Sequence, residues 1–271
     1  MKNLVLTSSI GLKSRDLKRF VSSFRKYNQE DDLVIVTSLH DSKKLKPELS
    51  SYNVKYAVFE SHHAMKTSIN NSRYHKYIEF LSDTNVEYDK ILLSDGRDVF
   101  FQENPFDVVE ENHIYFIKEE DCVTIGQEHY NSTWIKQCYT KKIYYQLKHF
   151  NIICSGIVVG NKKNILLYIK NMLYKINKVL NSREQNRFLD VFDQGITNYI
   201  IYKNPDIFNN LSVLENGNLA LHCALTLKHK PDYIQLKNGY IYYGETIPSI
   251  VHQFTSSKEM IKYVDDIIKS Y

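Results

Sequence analysis

Apolar and polar positions along this chain alternate between two periods, and the switches between them lay out its elements. Residues 3–7, 32–37 and 54–59 are apolar runs of strand length. Between the first two, Ser14 opens a helical stretch that sets Leu17, Phe20, Val21 and Phe24 on one face. A second helical pattern over residues 66–81 carries Ile69, Arg73, Tyr77 and Phe80, and it leads into an apolar strand that stops at Asp95. Strands and helices alternating in this way predict an α/β fold with a mainly parallel sheet, because parallel neighbours need crossover connections that cover the sheet. Residues 1–106 are therefore expected to form a nucleotide-binding type of sheet.

Beyond residue 106 the rhythm changes to mixed order. A strand is expected at 114–117, a helix over 131–147, and an apolar segment over 152–160 interrupted by Ser155-Gly156. Helical patterns follow at 164–180 and 193–202, then short strand-like runs between 211 and 254 bounded by Asn, Gly and Pro. Residues 257–268 close the chain as an amphipathic helix through Ile261, Val264 and Ile268. That helix also carries Glu259, Asp265 and Asp266, so packing on the body is expected ahead of peripheral contact with a membrane. No Pro- or Ser-rich linker and no internal repeat divides the 271 residues, which predicts a single domain.

Composition narrows the function classes. A hydrophobic content of 43% and a charged content of 24% are globular values, which argue against wholesale disorder. The net charge of +4 comes from scattered lysines rather than a basic stripe, so nucleic acid is not an expected partner. With no apolar run of eighteen residues and no charged-then-apolar leader, neither a spanning helix nor a secretory signal is expected, and cytoplasmic residence is the default. Cys122, Cys138, Cys154 and Cys223 form no CxxC pair, so reduced, partly buried thiols are expected rather than a zinc site.

The chemistry concentrates in Lys90-Ile91-Leu92-Leu93-Ser94-Asp95-Gly96-Arg97-Asp98-Val99-Phe100-Phe101-Gln102. An apolar strand that ends on two carboxylates places them where ligands collect in open α/β sheets, and the two can share one hard divalent cation with a phosphate. The plainer alternative is a surface turn, with Gly96 at positive φ and Asp98 paired with Arg97 or Lys90.

Five segments stand in order: Arg73 within Ser72-Arg73-Tyr74-His75-Lys76-Tyr77; Asp95 and Asp98; Cys154-Ser155-Gly156-Ile157-Val158-Val159-Gly160; Asp193-Gln194-Gly195-Ile196-Thr197-Asn198; and Val251-His252-Gln253-Phe254. In this order they resemble glycosyltransferases of the GT-A fold, most closely the family 8-like nucleotide-sugar transferases and related bacterial and viral polysaccharide transferases, over nearly the whole chain. The resemblance implies a Rossmann-like fold, a Mn2+ or Mg2+ cofactor, a UDP-sugar donor and a saccharide or glycolipid acceptor. It divides the chain into a nucleotide-binding half (1–106), an acceptor and donor-sugar half (107–256) and a C-terminal helix (257–271).

The same resemblance implies the site. Thr7 and Ser8 fall where relatives bind the nucleoside, Arg73 where they reach the diphosphate, and Ser155 and Gly156 beside the donor sugar. Asp95, Asp98 and His252 match the metal ligands, although Asp95-Gly96-Arg97-Asp98 has one residue more than the family's Asp-x-Asp, which leaves open which carboxylate binds directly. Asp193 and Gln194 match the catalytic start of a helix, with Gly195 where the family has Asp. The structural alternatives are Arg73 paired with Glu79, a β-bulge at Ser155-Gly156, and Asp193 as a helix N-cap. Asn131 and Trp134 are read either as an acceptor platform or as core, and Glu119, Glu120 and Asp121 either as a source of a catalytic base or, more safely, as a solvated loop. Retention and inversion both remain open. The rival functions are a haloacid-dehalogenase-like phosphatase, whose acidic motif stands earlier in the chain, and a silent sugar- or nucleic-acid-binding module.

Overall fold

In chain order the elements are β1 (Lys2–Ser8), α1 (Ser14–Tyr27), β2 (Asp32–Ser38), α2 (Leu39–Glu48), β3 (Lys55–Phe59), α3 (Ile69–Asp83), β4 (Tyr88–Ser94), β5 (Val99–Phe101) and β6 (Ile114–Lys118). They continue with α4 (His129–Cys138), α5 (Lys141–Leu147), β7 (Ile153–Asn161), α6 (Lys162–Asn181), α7 (Asp193–Lys203), β8 (Leu211–Leu214), β9 (Ala220–His222) and α8 (Cys223–His229). Last come β10 (Ile234–Lys237), β11 (Tyr240–Tyr243), β12 (Ile250–His252) and α9 (Lys258–Lys269). The computed structural model describes residues 1–59, 68–182 and 192–271.

The main sheet has seven strands in the order β3-β2-β1-β4-β7-β6-β8. All of its pairings are parallel except those of β7, which runs against β4 and β6. Residues on either side of position 106 thus share one sheet. Period-two alternation decides which layer each strand residue faces. Leu4, Leu6, Val34, Val36, Ile91 and Leu93 face the layer built from α3, α6 and α7, whereas Val5, Leu33, Ile35 and Leu92 face α1, α2 and a second, three-stranded sheet of order β5-β12-β9. The expected stripe of α1 is the buried one: Leu17, Phe20, Val21 and Phe24 are all fully buried, each contributing about 1.5–3 kcal/mol of transfer free energy. The small sheet's other face packs on α9 through Phe100, Leu221, Val251, Met260 and Val264. Arg19 fixes α9 from the side by donating to both carboxylate oxygens of Asp265, at 2.7 and 2.8 Å, so the apolar face of the terminal helix is taken up by the protein itself. No helix among the described residues is long and apolar enough to cross a membrane.

Several expectations need correction. The segment over 131–147 is two helices, because the chain breaks at Tyr139 and Thr140 then caps α5 by accepting from the Ile143 backbone. Ser155-Gly156 lies inside β7 and does not end the strand, but pairing with β4 stops at Ile157 and the register against β6 shifts between Val158 and Ile153, as the β-bulge alternative expects. Residues 66 and 67 of the second expected helix lie outside the described residues. Helix α2 gave no readable stripe since it buries only Ser42 and Leu45; it is started by Ser38, whose hydroxyl accepts from the Asp41 backbone. Asp193 is the first residue of α7 and Phe192 is its N-cap.

Candidate metal and donor site

The main sheet and the small sheet meet at the carboxyl end of β4. Asp95 is the residue after that strand, with its backbone N–H donating to the Gly156 carbonyl of β7 at 2.8 Å. Three residues on, Asp98 precedes β5, and β5 pairs with β12 so that His252 stands opposite Val99. Gln253, in the left-handed region at φ 62°, turns its N–H back to the Asp98 carbonyl at 2.8 Å and locks this end of the small sheet. The result is convergence: His252 Nε2 lies 3.4 Å from Asp95 Oδ2 and 3.7 Å from Asp98 Oδ1. The extra residue in Asp95-Gly96-Arg97-Asp98 therefore does not separate the carboxylates, because they arrive from two sheets. Gly96 is not at positive φ, and Lys90 donates to the Phe106 carbonyl rather than to Asp98, so of the surface-turn reading only the charge of Arg97 near Asp98 is left.

The donor set fits a hard divalent cation. One oxygen from each carboxylate and one imidazole nitrogen lie within 4.8 Å of one another. Neighbouring ligands on octahedral bonds of about 2.0–2.1 Å stand roughly 3 Å apart, so small side-chain adjustments close the set. Gly156 lets the ligands approach: a Cβ there would lie 2.6 Å from Asp95 Oδ2 and 2.6 Å from His252 Cε1. Asp95 is 35% exposed and Asp98 17%, whereas His252 is 2% exposed, so the site is open on the carboxylate side.

That side is a cleft of about 290 Å³ lined by Ser8, Ile10, Leu12, Asn70, Arg73, Asp95, Arg97 and Asp98. Its size is at the lower end for ligand pockets. Leu12 also borders a larger open groove of about 910 Å³, where Lys13, Arg15, Lys43 and Lys44 gather beside Asp41 and Glu48. Ser8 reaches the cleft but Thr7 is fully buried behind it, and both hydroxyls lack a hydrogen-bond partner among the described residues.

Beneath the cleft, Arg73 joins the two acidic segments. One guanidinium nitrogen pairs with Asp95, and the other donates to Asp193 at 2.9 Å and to the Ser155 carbonyl at 3.4 Å. The alternative partner Glu79 is taken by Lys76. Although burial raises it, Arg73 and then His252 hold the Asp95 carboxyl well below the usual range. Burial pushes Asp98 and Asp193 up, in each case with the charge of Asp95 adding to it. Burial disfavours the His252 imidazolium, yet Cys154, Asp95 and Asp98 outweigh it and hold this pKa well above the ordinary histidine value. His222 moves the other way, lowered by burial and by His252.

Asp193 and Gln194 are held from several sides. Ser155 donates its backbone N–H to Gln194 Oε1 at 3.2 Å, and Gln194 Nε2 donates to Glu119 and to Asn131, each at 3.0 Å. Glu119 and Glu120 are thus buried, not in a solvated loop; only Asp121 of the three is exposed. Thr226 donates to Glu120 at 3.0 Å, and Lys230 pairs with it at the same distance. Gly195 lies against α4, where a Cβ would stand 3.1 Å from the Trp134 backbone, so close helix packing takes up the space a side chain would need. Trp134 is half-buried against the main core.

Two residues of this constellation escaped the sequence reading. His222 and Cys154 both contact His252 Nδ1, at 2.9 and 3.6 Å. A signal existed for the first, since Leu221-His222 repeats the pattern of Val251-His252, an apolar strand ending in histidine.

No protein-family model matches the chain, and no curated protein matches it in sequence. Among solved structures, it is similar to mouse xyloside xylosyltransferase 1 in its apo form, at 14% identity and a TM-score of 0.53, with 93% of this chain and 97% of that one covered. The fold is GT-A. At that identity the likeness is one of architecture: a mixed, mainly parallel seven-stranded sheet between helical layers.

Proposed function

We propose that the chain is a metal-dependent glycosyltransferase that moves a hexose-type sugar from a nucleoside diphosphate, with UDP as the expected carrier, onto a saccharide or glycolipid acceptor. The observation that supports this most is the meeting of Asp95, Asp98 and His252 at a cleft in a GT-A fold. A Mn2+ or Mg2+ ion bound there would neutralise the departing diphosphate. Arg73 lines the same cleft and adds positive charge for phosphate oxygens, while its pairs with Asp95 and Asp193 keep the guanidinium in place. In this reading Asp193 or Gln194, the carboxylate and amide tied to Arg73 and Ser155 beneath the cleft, would stabilise the positive charge that develops at the attacked carbon. The hydrogen bonds from Ser155 and to Glu119 and Asn131 hold Gln194 in one orientation, so little reorganisation is needed as that charge appears.

The test is a panel of nucleotide sugars, including UDP-xylose because the structural neighbour is named as a xylosyltransferase. Release of UDP from at least one donor, dependent on Mn2+ or Mg2+ and lost in Asp98→Asn, is expected. Metal-dependent release of phosphate from simple phosphate esters, with every nucleotide sugar left intact, would favour the phosphatase instead.

A further inference from the structure

β9 and β12 are parallel neighbours with His222 directly opposite His252, which puts both rings on the same side of the small sheet. The ring centroids are 5.1 Å apart with the planes 79° to one another, and the two Nδ1 atoms face each other at 2.9 Å. His222 is 0% exposed and His252 2%. Two ring nitrogens at that distance share one proton, so one is a donor and the other an acceptor. The other end of His252 decides which. Its Nε2 faces Asp95 and Asp98, and a cation held there needs that nitrogen bare. The proton then sits on His252 Nδ1, and His222 Nδ1 receives it. His222 carries its own proton on Nε2, which is buried without a hydrogen-bond partner among the described residues. A buried donor left unpaired is destabilising, a cost an apolar side chain in the same place would not incur.

We propose that His222 is a positioning residue for the cation site: by accepting the Nδ1 proton of His252 it keeps the bare Nε2 directed at the cation position between Asp95 and Asp98. This inference rests on the proposed metal-dependent function only through the existence of that site. Cys154 Sγ is a second acceptor for the same proton, but at 3.6 Å and already accepting from the Gly156 N–H at 3.4 Å it holds the ring less firmly. Cys154, His222 and His252 are also a donor set suited to zinc. The spacing argues for the hydrogen bond, since two nitrogens on tetrahedral zinc bonds of about 2.0–2.1 Å would stand roughly 3.3 Å apart.

The experiment is Mn2+ binding to the full chain, followed by the electron paramagnetic resonance of the free ion, for wild type, Asp98→Asn, His222→Leu, His222→Gln and Cys154→Ala. His222→Leu should weaken Mn2+ by about 10–100-fold, the usual effect of losing an outer partner of a ligating histidine. His222→Gln, whose amide oxygen can accept the proton, should recover most of that, and Cys154→Ala should stay near wild type. At saturating Mn2+ the turnover number of His222→Leu should approach wild type, which places the loss in metal occupancy. Should His222→Leu not fold by circular dichroism, His222→Met carries the same comparison. Wild-type affinity in the Leu or Met variant, with Asp98→Asn still abolishing binding, would overturn this inference and leave the metal site standing. Equal weakening in His222→Leu and His222→Gln would reduce His222 to packing, and stoichiometric Zn2+ binding lost in Cys154→Ala with Mn2+ unaffected would assign the trio to zinc. No Mn2+ binding by wild type would remove both readings together.

Discussion

Gly156→Ala places a single methyl group between two of the candidate metal ligands. The new carbon would stand 2.6 Å from Asp95 Oδ2, 2.6 Å from His252 Cε1 and 3.1 Å from Asp95 Cγ. Ordinary contact between such atoms is about 3.5–4.0 Å, so roughly 1 Å of relief is required on both sides. Neither side yields freely: Asp95 is held by Arg73 and by its backbone bond to Gly156, while His252 is fixed between β5 and β9 and against His222. Overpacking of this kind costs about 1–3 kcal/mol. For a chain of this size each kcal/mol lowers Tm by roughly 2–4 °C, which gives a loss of about 2–12 °C. The functional effect should be larger than the thermal one, because displacing a ligating group by about 1 Å costs on the order of 100-fold in rate. Thermal denaturation of the metal-free protein, paired with a Mn2+ isotherm and with turnover on the best donor, reads all three quantities. An unchanged Tm together with unchanged Mn2+ affinity would show that β7 does not press on Asp95 and His252 and would refute the reasoning.

Arg73→Ala leaves the two carboxylates it joins without their counter-charge, so chemical denaturation should show a loss of about 3–5 kcal/mol alongside the fall in turnover, whereas Arg73→Lys should retain more of both; unaltered stability and kinetics in the Ala variant would remove Arg73 from the site. Mn2+ affinity should climb with pH through the raised pKa of metal-free His252 and level off above it, because a proton on Nε2 competes with the cation; an affinity that is flat across that window, or rises as the solution is acidified, would contradict the assignment. Gly195→Asp should lower Tm and activity, since its Cβ meets the Trp134 backbone at 3.1 Å and pushes α7 away from α4; a stable, more active variant would show that an acid at this position matters more than the packing.

The parts of this molecule that were legible in the sequence are those written in short-range pattern. Leu4 and Leu6 against Val5, and Leu17, Phe20, Val21 and Phe24 on one turn-spaced stripe, announce their elements because one face of each must be buried. Helix α2 was invisible because a single leucine and a serine are its whole buried face, and its start depends on one serine cap. The reversed direction of β7 was invisible too, since period-two alternation reads the same in both directions. In the site, Asp95, Asp98 and His252 could be named from their order along the chain, but their convergence on one nitrogen depends on the pairing of β12 with β5, which no local pattern encodes. Glu119 was misjudged for a related reason: an acidic run looks solvated until a distant amide, here that of Gln194, is brought to it. His222 was missed because its partner lies thirty positions away on a neighbouring strand.

The central claim is that Asp95, Asp98 and His252 together hold a cation that a nucleoside diphosphate shares. Calorimetric titration of UDP tests it most directly, with Mn2+ present, with excess chelator, and in Asp98→Asn and His252→Ala. Ligands that share one site raise each other's affinity reciprocally, so UDP should bind wild type far more tightly with Mn2+ than with chelator, and both substitutions should remove that difference. Equal UDP affinity with and without the metal, or a metal-dependent gain that survives His252→Ala and Asp98→Asn, would contradict it.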